Sequence, residues 1–242
     1  MIEIKPITRI QDAGRRIKAT CICFILVKNG AATIGRGLDS AIKSGCFDKI
    51  LVVLDSKSSD DTGRIVSEYA EELPQIHIVS YRWSDPPDFA AARNFALNLI
   101  NTDYAFWLDA DEVLADSEGL RGLLCRPGPA YLMWVDSALE KGWHNMYQPR
   151  LIPMRPGVKF ECPVFERVDW SLNRAGIQMI PTDLRVINHD GYVNTQVLRQ
   201  KNVRNRAILK KWLERKNRSW WRPFRPNSDQ DRHMMEQYRR LV

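Results

Sequence analysis

The chain has 242 residues, of which 44% are hydrophobic and 27% are charged, the balance of an ordinary globular protein. This length suits one α/β domain, and no stretch approaches the roughly 18 apolar residues that span a bilayer. The N-terminal residues lack the continuous apolar run of a signal peptide, so we expect a cytoplasmic protein with at most a peripheral membrane contact. The formal net charge of +7 favours an anionic partner.

The first half of the chain alternates short apolar strands with amphipathic helical patterns. Strand, helix and strand at this spacing predict an α/β fold with a mainly parallel sheet and helices on both faces. The predicted strands are Thr20–Val27, Lys49–Leu54, Ile76–Ser80 and Tyr104–Leu108, and the predicted helices are Ala31–Lys43, Thr62–Leu73 and Phe89–Ile100.

After Asp111 the pattern changes to strands that are not separated by long helices, which predicts a mixed second half. The predicted strands there are Ala130–Val135, Pro149–Met154, Val158–Phe160 and Val164–Val168, and the predicted C-terminal helices are Thr195–Arg215 and Asp229–Leu241.

An acidic motif follows the fourth predicted strand, where Leu108 leads into Asp109 and Asp111. If the extended backbone continues, both carboxylates project to one side. Ligands of open parallel sheets bind beyond the carboxyl ends of the strands, and two carboxylates there suit Mg²⁺ or Mn²⁺. An isolated motif of this length is more often a solvated acidic turn.

Two further residues precede this motif. Asp55 closes the second predicted strand, where an acid can accept hydrogen bonds from ribose hydroxyls or a base edge, although it could also only form the turn. Arg93 lies on the third predicted helix and could neutralise a phosphate or orient Asp109. The alternative for Arg93 is a surface arginine.

Taken in chain order, four segments resemble the family 2 glycosyltransferases of the GT-A fold. The most similar branch contains lipopolysaccharide-core glucosyltransferases and peptide S-glycosyltransferases. The resemblance runs from Thr20 to Arg215, with Gly30 replacing the usual Glu and Phe165 replacing the His of a His-Glu pair. The matching segments are Lys28-Asn29, Asp55 to Thr62, Ala92 to Leu97 and Leu108 to Glu112.

The resemblance implies an inverting enzyme that takes a sugar from a nucleotide diphosphate, such as a UDP-sugar, with Mn²⁺ or Mg²⁺ as cofactor. Glu166 is then the candidate base, with Asp88 and Glu161 as alternatives, and Asp109 assists catalysis and steers the metal. The implied donor-binding residues are Lys28, Asn29, Asp55, Arg93 and Asp109, and the implied metal ligands are Asp111 and His189.

The same resemblance predicts one GT-A domain at residues 1–216, with a nucleotide-sugar half at about 19–112 and an acceptor half at about 113–216. A basic, aromatic extension at 217–242 follows. Between Arg199 and Arg225 the chain has eleven Lys or Arg and one acid, Glu214. The predicted acceptor-binding residues are Lys201, Arg204, Trp220, Trp221 and Arg222.

The acceptor is left open by the sequence. A phosphorylated saccharide such as lipopolysaccharide core fits the branch, while modified DNA, with a flipped hydroxymethylated base, fits the aromatic and basic extension. The tryptophans could instead only pack a C-terminal helix. Two other functional classes are alternatives. Sugar nucleotidyltransferases usually have a Gly-rich loop after the first strand, and this chain lacks that loop. An inactive nucleotide-sugar-binding protein would not need all the acids of the segment Leu108–Glu112.

Overall fold

The structure is a computed structural model that describes residues 18–139, 142–192 and 195–215. Strands and helices alternate strictly from β1 to β4, as the sequence predicts. The strands are β1 (Cys21–Val27), β2 (Lys49–Asp55), β3 (Ile76–Tyr81), β4 (Tyr104–Asp109), β5 (Glu112–Leu114), β6 (Ala130–Leu139), β7 (Trp143–Pro153) and β8 (Met179–Tyr192). The helices are α1 (Ile34–Ser44), α2 (Thr62–Glu72), α3 (Phe89–Leu99), α4 (Glu118–Leu124), α5 (Asp169–Arg174) and α6 (Thr195–Arg215).

The strands form one eight-stranded sheet in the order β3-β2-β1-β4-β7-β6-β8-β5. The first four are parallel, β7 pairs antiparallel with β4, and β6 is antiparallel to β7 but parallel to β8. A parallel half joined to a mixed half confirms the predicted α/β fold class. The carboxyl ends of β1, β2 and β4 meet at one rim, where the acidic motif lies.

Two apolar layers cover the sheet. All seven residues of β1 are buried, because this central strand is covered on both faces. One face packs Ile25, Phe106 and Leu38 of α1 into the larger core cluster. The other packs Phe24 and Trp107 against α3 and Phe160. This second face carries the candidate site.

The predicted strands Val158–Phe160 and Val164–Val168 are wrong. In this segment the structure contains a single bridge, between Glu161 and Arg167. The Asn94 side chain takes the place of a neighbouring strand, since its amide accepts from Phe160 N at 2.7 Å and donates to Phe160 O at 2.9 Å. Cys162 and Phe165 have φ values of 68° and 55°, which no strand tolerates.

The structure also contains elements that the sequence did not predict. Strand β8 was missed because it carries Pro181, Asp183 and Arg185, which weaken the apolar alternation. The short helices α4 and α5 were also missed, whereas the long helix Thr195–Arg215 is confirmed. Residues 1–17 and 216–242, with the predicted helix Asp229–Leu241 and the predicted extension, lie outside the described residues. Within the described ranges, every helix is too short or too polar to span a bilayer.

Candidate active site

Arg93 connects two carboxylates that are far apart in sequence. This residue lies on α3, is 5% exposed, and donates from Nη2 to Asp109 at 2.6 Å and from Nε to Glu166 at 3.1 Å. Asp109 ends β4, while Glu166 lies on the irregular segment after Cys162. The bend of that segment therefore delivers Glu166 to the rim of the sheet.

Trp107 supports two guanidinium groups at this rim. The Arg93 guanidinium carbon lies 4.1 Å from the Trp107 ring centroid, and that of Arg150 lies 3.6 Å from it. The indole Nε1 donates to Pro149 O at 2.7 Å, which ties the ring to β7. Cation–π contacts of this kind strengthen when they are removed from water, as they are here.

Arg150 and Glu112 form a buried two-point ion pair that sequence reasoning missed. Arg150 Nη1 and Nη2 donate to the two Glu112 carboxylate oxygens at 2.6 and 2.7 Å. Glu112 Oε2 also accepts from Asp109 N at 2.9 Å, so this pair shapes the acidic turn itself. Burial raises the pKa of Glu112, and Arg150 opposes that rise. The available signal was an arginine inside the apolar run Arg150-Leu151-Ile152.

Asp111 lies in the turn between β4 and β5, so the extended backbone does not continue from Asp109. The Asn188 side chain donates a hydrogen bond to the Asp111 carboxylate, and β5 pairs with β8 so that Glu112 is opposite Asn188. Burial and then the charge of Asp109 raise the pKa of Asp111. His189 follows Asn188 on β8, but its side chain lies outside the described residues.

The pKa values of the two carboxylates bound to Arg93 are shifted in opposite directions. Burial raises the pKa of Asp109, but Arg93 and then Arg150 more than offset this and hold that pKa below its ordinary value. Burial raises the pKa of Glu166, and the charge of Asp109 adds to this rise against the opposing Arg93. Asp109 thus favours the ionised form, whereas Glu166 takes up a proton more readily than a solvated glutamate.

Helix α6 brings two cations to the same cluster. Lys201 lies close enough to lower the pKa values of Asp109 and Asp111, and Arg204 interacts electrostatically with Glu166. Burial lowers the pKa of Arg204. The structure therefore brings both predicted α6 residues to the acidic rim. The predicted residues Trp220, Trp221 and Arg222 lie outside the described residues.

A second group of predicted residues lies at the ends of β1 and β2. Asp55 is fully buried, and its carboxylate pairs with the Lys28 ammonium at 2.8 Å and accepts from Lys57 N at 3.1 Å. Burial raises the pKa of Asp55, but the hydrogen bonds from Lys28 and two backbone N–H groups lower it overall. In this arrangement Lys28, whose side chain is 37% exposed, is the accessible member of the pair.

Side chains after β2 hold the loop that contains Asn29. Gly30 N donates to Thr62 Oγ1 at 2.8 Å, and Ala31 N donates to Asp60 at 3.0 Å. Asn29 Oδ1 accepts a hydrogen bond from Ser59 N at 2.8 Å. The backbone of Asn29 is left-handed, with a φ of 49°. Asn29 thus has a positioning role in the loop. Ser59, Asp60 and Thr62 therefore hold the loop after β1 in place, a role that the sequence did not predict.

The two alternative bases have other partners. The Asp88 carboxylate accepts from Ala91 N at 2.8 Å and caps α3, and Glu161 pairs with Arg174. Among the described residues, no group of three or more His, Cys, Asp or Glu side chains is arranged to hold a metal ion. A cation at the acidic turn would therefore need ligands besides Asp109 and Asp111.

Three solved structures with the same fold are similar to this chain. The mannosyltransferase PcManGT from Pyrobaculum calidifontis, in complex with GDP-Man and Mn²⁺, matches with a TM-score of 0.58 and 16% identity over 84% of this chain and 66% of that one. TarS 1-349 of S. aureus, in complex with UDP-GlcNAc, matches with a TM-score of 0.55 and 15% identity over 80% of this chain and 71% of that one. GalNAc-T7 with UDP, GalNAc and Mn²⁺ matches with a TM-score of 0.54 and 13% identity over 73% and 45% of the two chains.

Sequence comparison identifies the family. A TPR repeat-containing protein of Synechococcus elongatus is 32% identical over 211 residues, which are 83% of this chain and 49% of that protein. The chain thus spans about half the length of this curated relative. Residues 22–180 match the family described as "Glycosyl transferase family 2". Because that match covers most of the chain and the fold agrees with it, the protein belongs to glycosyl transferase family 2.

Proposed function

We propose that the protein is an inverting, metal-dependent glycosyltransferase that moves a sugar from a nucleotide diphosphate to an acceptor hydroxyl. The observation that carries this proposal is the Arg93 bridge, which holds Asp109 and Glu166 beside Asp111. One ionised carboxylate and one of raised pKa then lie at the same rim. Inverting transfer needs one group that helps to stabilise the departing diphosphate and a second group that takes the proton of the attacking hydroxyl.

The acidic turn is the proposed metal site. Asp109 is 40% exposed and Asp111 is partly exposed, whereas Glu112 is buried and already bound twice by Arg150. The raised pKa of Asp111 indicates an incompletely compensated charge, which a divalent cation would compensate. Asp111 would hold Mn²⁺ or Mg²⁺ with help from Asp109, and His189 is the candidate further ligand. When bound, the cation neutralises charge that develops on the departing diphosphate.

Donor binding is assigned to residues from both ends of the rim. Lys28 would meet the nucleoside, and the buried Asp55 would hold the Lys28 ammonium in place. Asn29 and Thr62 fix the loop that follows Lys28. Arg93 Nη1 is buried and has no hydrogen-bond partner among the described residues, so one guanidinium nitrogen is left for a diphosphate oxygen after a small movement. The comparison proteins bound to GDP-Man and UDP-GlcNAc support a nucleotide-diphosphate sugar as donor.

Glu166 is the proposed base. Its side chain is 14% exposed, and burial raises its pKa, so it is a stronger base than a solvated glutamate and could take a proton from an acceptor hydroxyl. Glu161 and Asp88 are already committed to Arg174 and to the start of α3, respectively. Of the three candidates, only Glu166 pairs with Arg93 beside the acidic turn.

The proposed acceptor is an anionic saccharide such as lipopolysaccharide core. Lys201 and Arg204 approach the cluster from α6, and the second half of the chain resembles the branch that modifies such saccharides. The basic composition after Arg199 also suits DNA, which is the second candidate. Salt-sensitive retention on duplex DNA with hydroxymethylated bases would favour DNA. Retention on lipid A-core material would favour the saccharide.

The proposed reaction is tested with a panel of UDP- and GDP-sugars in the presence of Mn²⁺. The protein is expected to release UDP or GDP slowly by hydrolysis, which an inactive binding protein would not do. The Asp111→Ala variant should lose this release, while Asp183→Ala, which changes an exposed acid on β8, should keep it. Equal release by the Asp111 variant, or release that survives chelation of the metal, would remove the metal from the mechanism.

A further inference from the structure

Strands β6 and β7 carry a pair of aromatic residues that has no role in the proposed reaction. Trp134 on β6 lies directly opposite Tyr147 on β7, and their rings meet edge to face with centroids 4.7 Å apart. Tyr147 is 39% exposed, and Trp134 is partly exposed. Two aromatic rings therefore present apolar surface to solvent in the acceptor half of the sheet.

The pair lies on the same face of the sheet as the Arg93 cluster. Along β6, Met133 and Val135 belong to the larger core cluster beneath the sheet, so Trp134 between them points to the opposite face. Trp107 on β4 belongs to that opposite face, and Asp109 follows two residues later on the same side.

The pair also lies toward the same end of the sheet as Asp109. Phe106 is opposite Leu151, where the pairing of β4 with β7 ends. From there β4 continues to Asp109, and the antiparallel β7 runs in the same direction back to Tyr147, opposite Trp134 on β6. In the sheet order, β7 and β6 are the next strands after β4.

Polar groups continue beyond the rings on the same face. Asp136, two residues after Trp134, lies opposite Asn145 on β7 and forms an ion pair with Arg185 at 3.4 Å. An apolar ring beside a carboxylate, an amide and a guanidinium suits a sugar, whose C–H face packs on aromatic surface while its hydroxyls hydrogen-bond at the edge.

We propose that Trp134 and Tyr147 form an acceptor subsite that packs against a pyranose ring of the saccharide acceptor. This inference rests on the proposed function, and it names the part of the acceptor half that binds neutral sugar surface. The cations of α6 hold anionic groups of the acceptor, while the aromatic pair holds the ring adjoining the reacting hydroxyl. Transfer specificity then depends on sugar stereochemistry at this pair.

A purely structural role of the pair predicts different behaviour. Cross-strand aromatic pairs stabilise a hairpin through packing. The Tyr147→Leu variant keeps apolar bulk opposite Trp134 but loses the flat ring, and Tyr147→Phe keeps the ring but loses the hydroxyl. Sugar stacking requires the ring, so Tyr147→Phe should bind like the original protein. Packing alone would be little affected by either change.

The test uses an array of bacterial glycans that includes lipopolysaccharide-core oligosaccharides, probed with the fluorescently labelled full chain. The glycan bound most strongly is then titrated in solution. We expect Tyr147→Leu and Trp134→Leu to weaken binding by about tenfold or more, and Tyr147→Phe by less than about threefold. Leu99→Ala, which removes an exposed apolar side chain at the end of α3, is the control and should bind normally.

Release of UDP or GDP from the donor panel by hydrolysis is measured on the same variants and does not need the acceptor. Normal release with lost glycan binding supports the subsite. Undiminished glycan binding by folded Tyr147→Leu and Trp134→Leu, or no binding of any glycan by the original protein, overturns the subsite. Absence of donor hydrolysis in the original protein is instead a failure of the proposed function.

Discussion

The carboxylate of Glu166 offers the sharpest test of chemistry at the level of a single residue. Glu166→Gln keeps its shape and its place beside Arg93 but cannot take a proton. We expect its kcat for transfer to fall by about 10²–10⁴-fold, with a smaller change in KM for the donor. Glu161→Gln is the matched control, because this glutamate pairs with Arg174 and should keep its activity. Equal loss in both variants would point to folding and not to proton transfer.

The pH dependence of the rate follows from the same residue. Burial raises the pKa of Glu166, and a base works only when it is deprotonated. Activity should therefore rise with pH through a limb that lies above the ordinary glutamate pKa of about 4.3. A pH profile of kcat/KM at saturating metal measures this limb. A limb at or below the ordinary value would assign the base to another group.

The Arg150–Glu112 pair supports the acidic turn from the interior of the protein. Both side chains are nearly inaccessible, so Arg150→Met would leave a buried carboxylate without its partner. We expect a loss of about 3–5 kcal/mol in the free energy of unfolding, measured by urea denaturation. Removing both charges together, as in Arg150→Met with Glu112→Leu, should cost less than Arg150→Met alone. A double variant that is less stable than the single one would contradict this reasoning.

The sequence predicted many of the residues at this candidate site, but it did not predict the side chains that hydrogen-bond to them. Asp109, Asp111 and Arg93 were found because acids at a strand end and a cation on the preceding helix form a recognisable pattern. Glu166 was found only through family resemblance, since the irregular segment around Phe165 has no periodicity. Asn188 could not be assigned to Asp111, because β8 was not predicted as a strand and its pairing with β5 joins residues that are far apart in sequence.

At the level of elements, the contacts between the β1 and β2 loops connect two strand ends. Thr62 begins α2, is fully buried, and accepts from Gly30 N through its hydroxyl. Thr62→Val keeps the volume but leaves that N–H without an acceptor, so we expect a loss of about 1–3 kcal/mol in stability. Donor affinity should weaken as well, because Lys28 and Asn29 belong to the same loop. Thermal melts and nucleotide titration of the variant measure both effects.

A matched change separates this contact from general packing. Thr102→Val removes a partly buried hydroxyl that donates to Tyr104 O before β4, at the opposite end of that strand from Asp109, so it should leave donor affinity unchanged. Equal weakening of donor binding in both variants would rule out a special role for the loop contacts. The element pattern of the first half was predictable because its helices and strands are locally periodic. The Phe160 segment was not, since a side chain supplies its hydrogen bonds.

At the scale of the whole molecule, ligand binding should stabilise the fold through the acidic turn. Burial and the charge of Asp109 raise the pKa of Asp111, so its ionised form is less favoured than that of a solvated aspartate. Mn²⁺ with UDP at about 100 times its dissociation constant should add about 2.7 kcal/mol, a rise in Tm on the order of 5–10 °C. The Asp111→Asn variant should lose most of this rise in Tm. Without ligand, the variant should be at least as stable as the original protein. An identical rise in the variant would separate the turn from metal binding.

The shared indole of Trp107 links two arginines that come from different parts of the sheet. Arg93 lies on α3, beside the parallel strands, and Arg150 lies on β7 in the mixed half, yet both guanidinium groups lie against one ring. A shift of either arginine therefore changes the surface available to the other. Substitutions at the two positions should show non-additive effects on the free energy of unfolding in a double-mutant cycle. A single flat side chain would then couple the parallel half of the sheet to its mixed half.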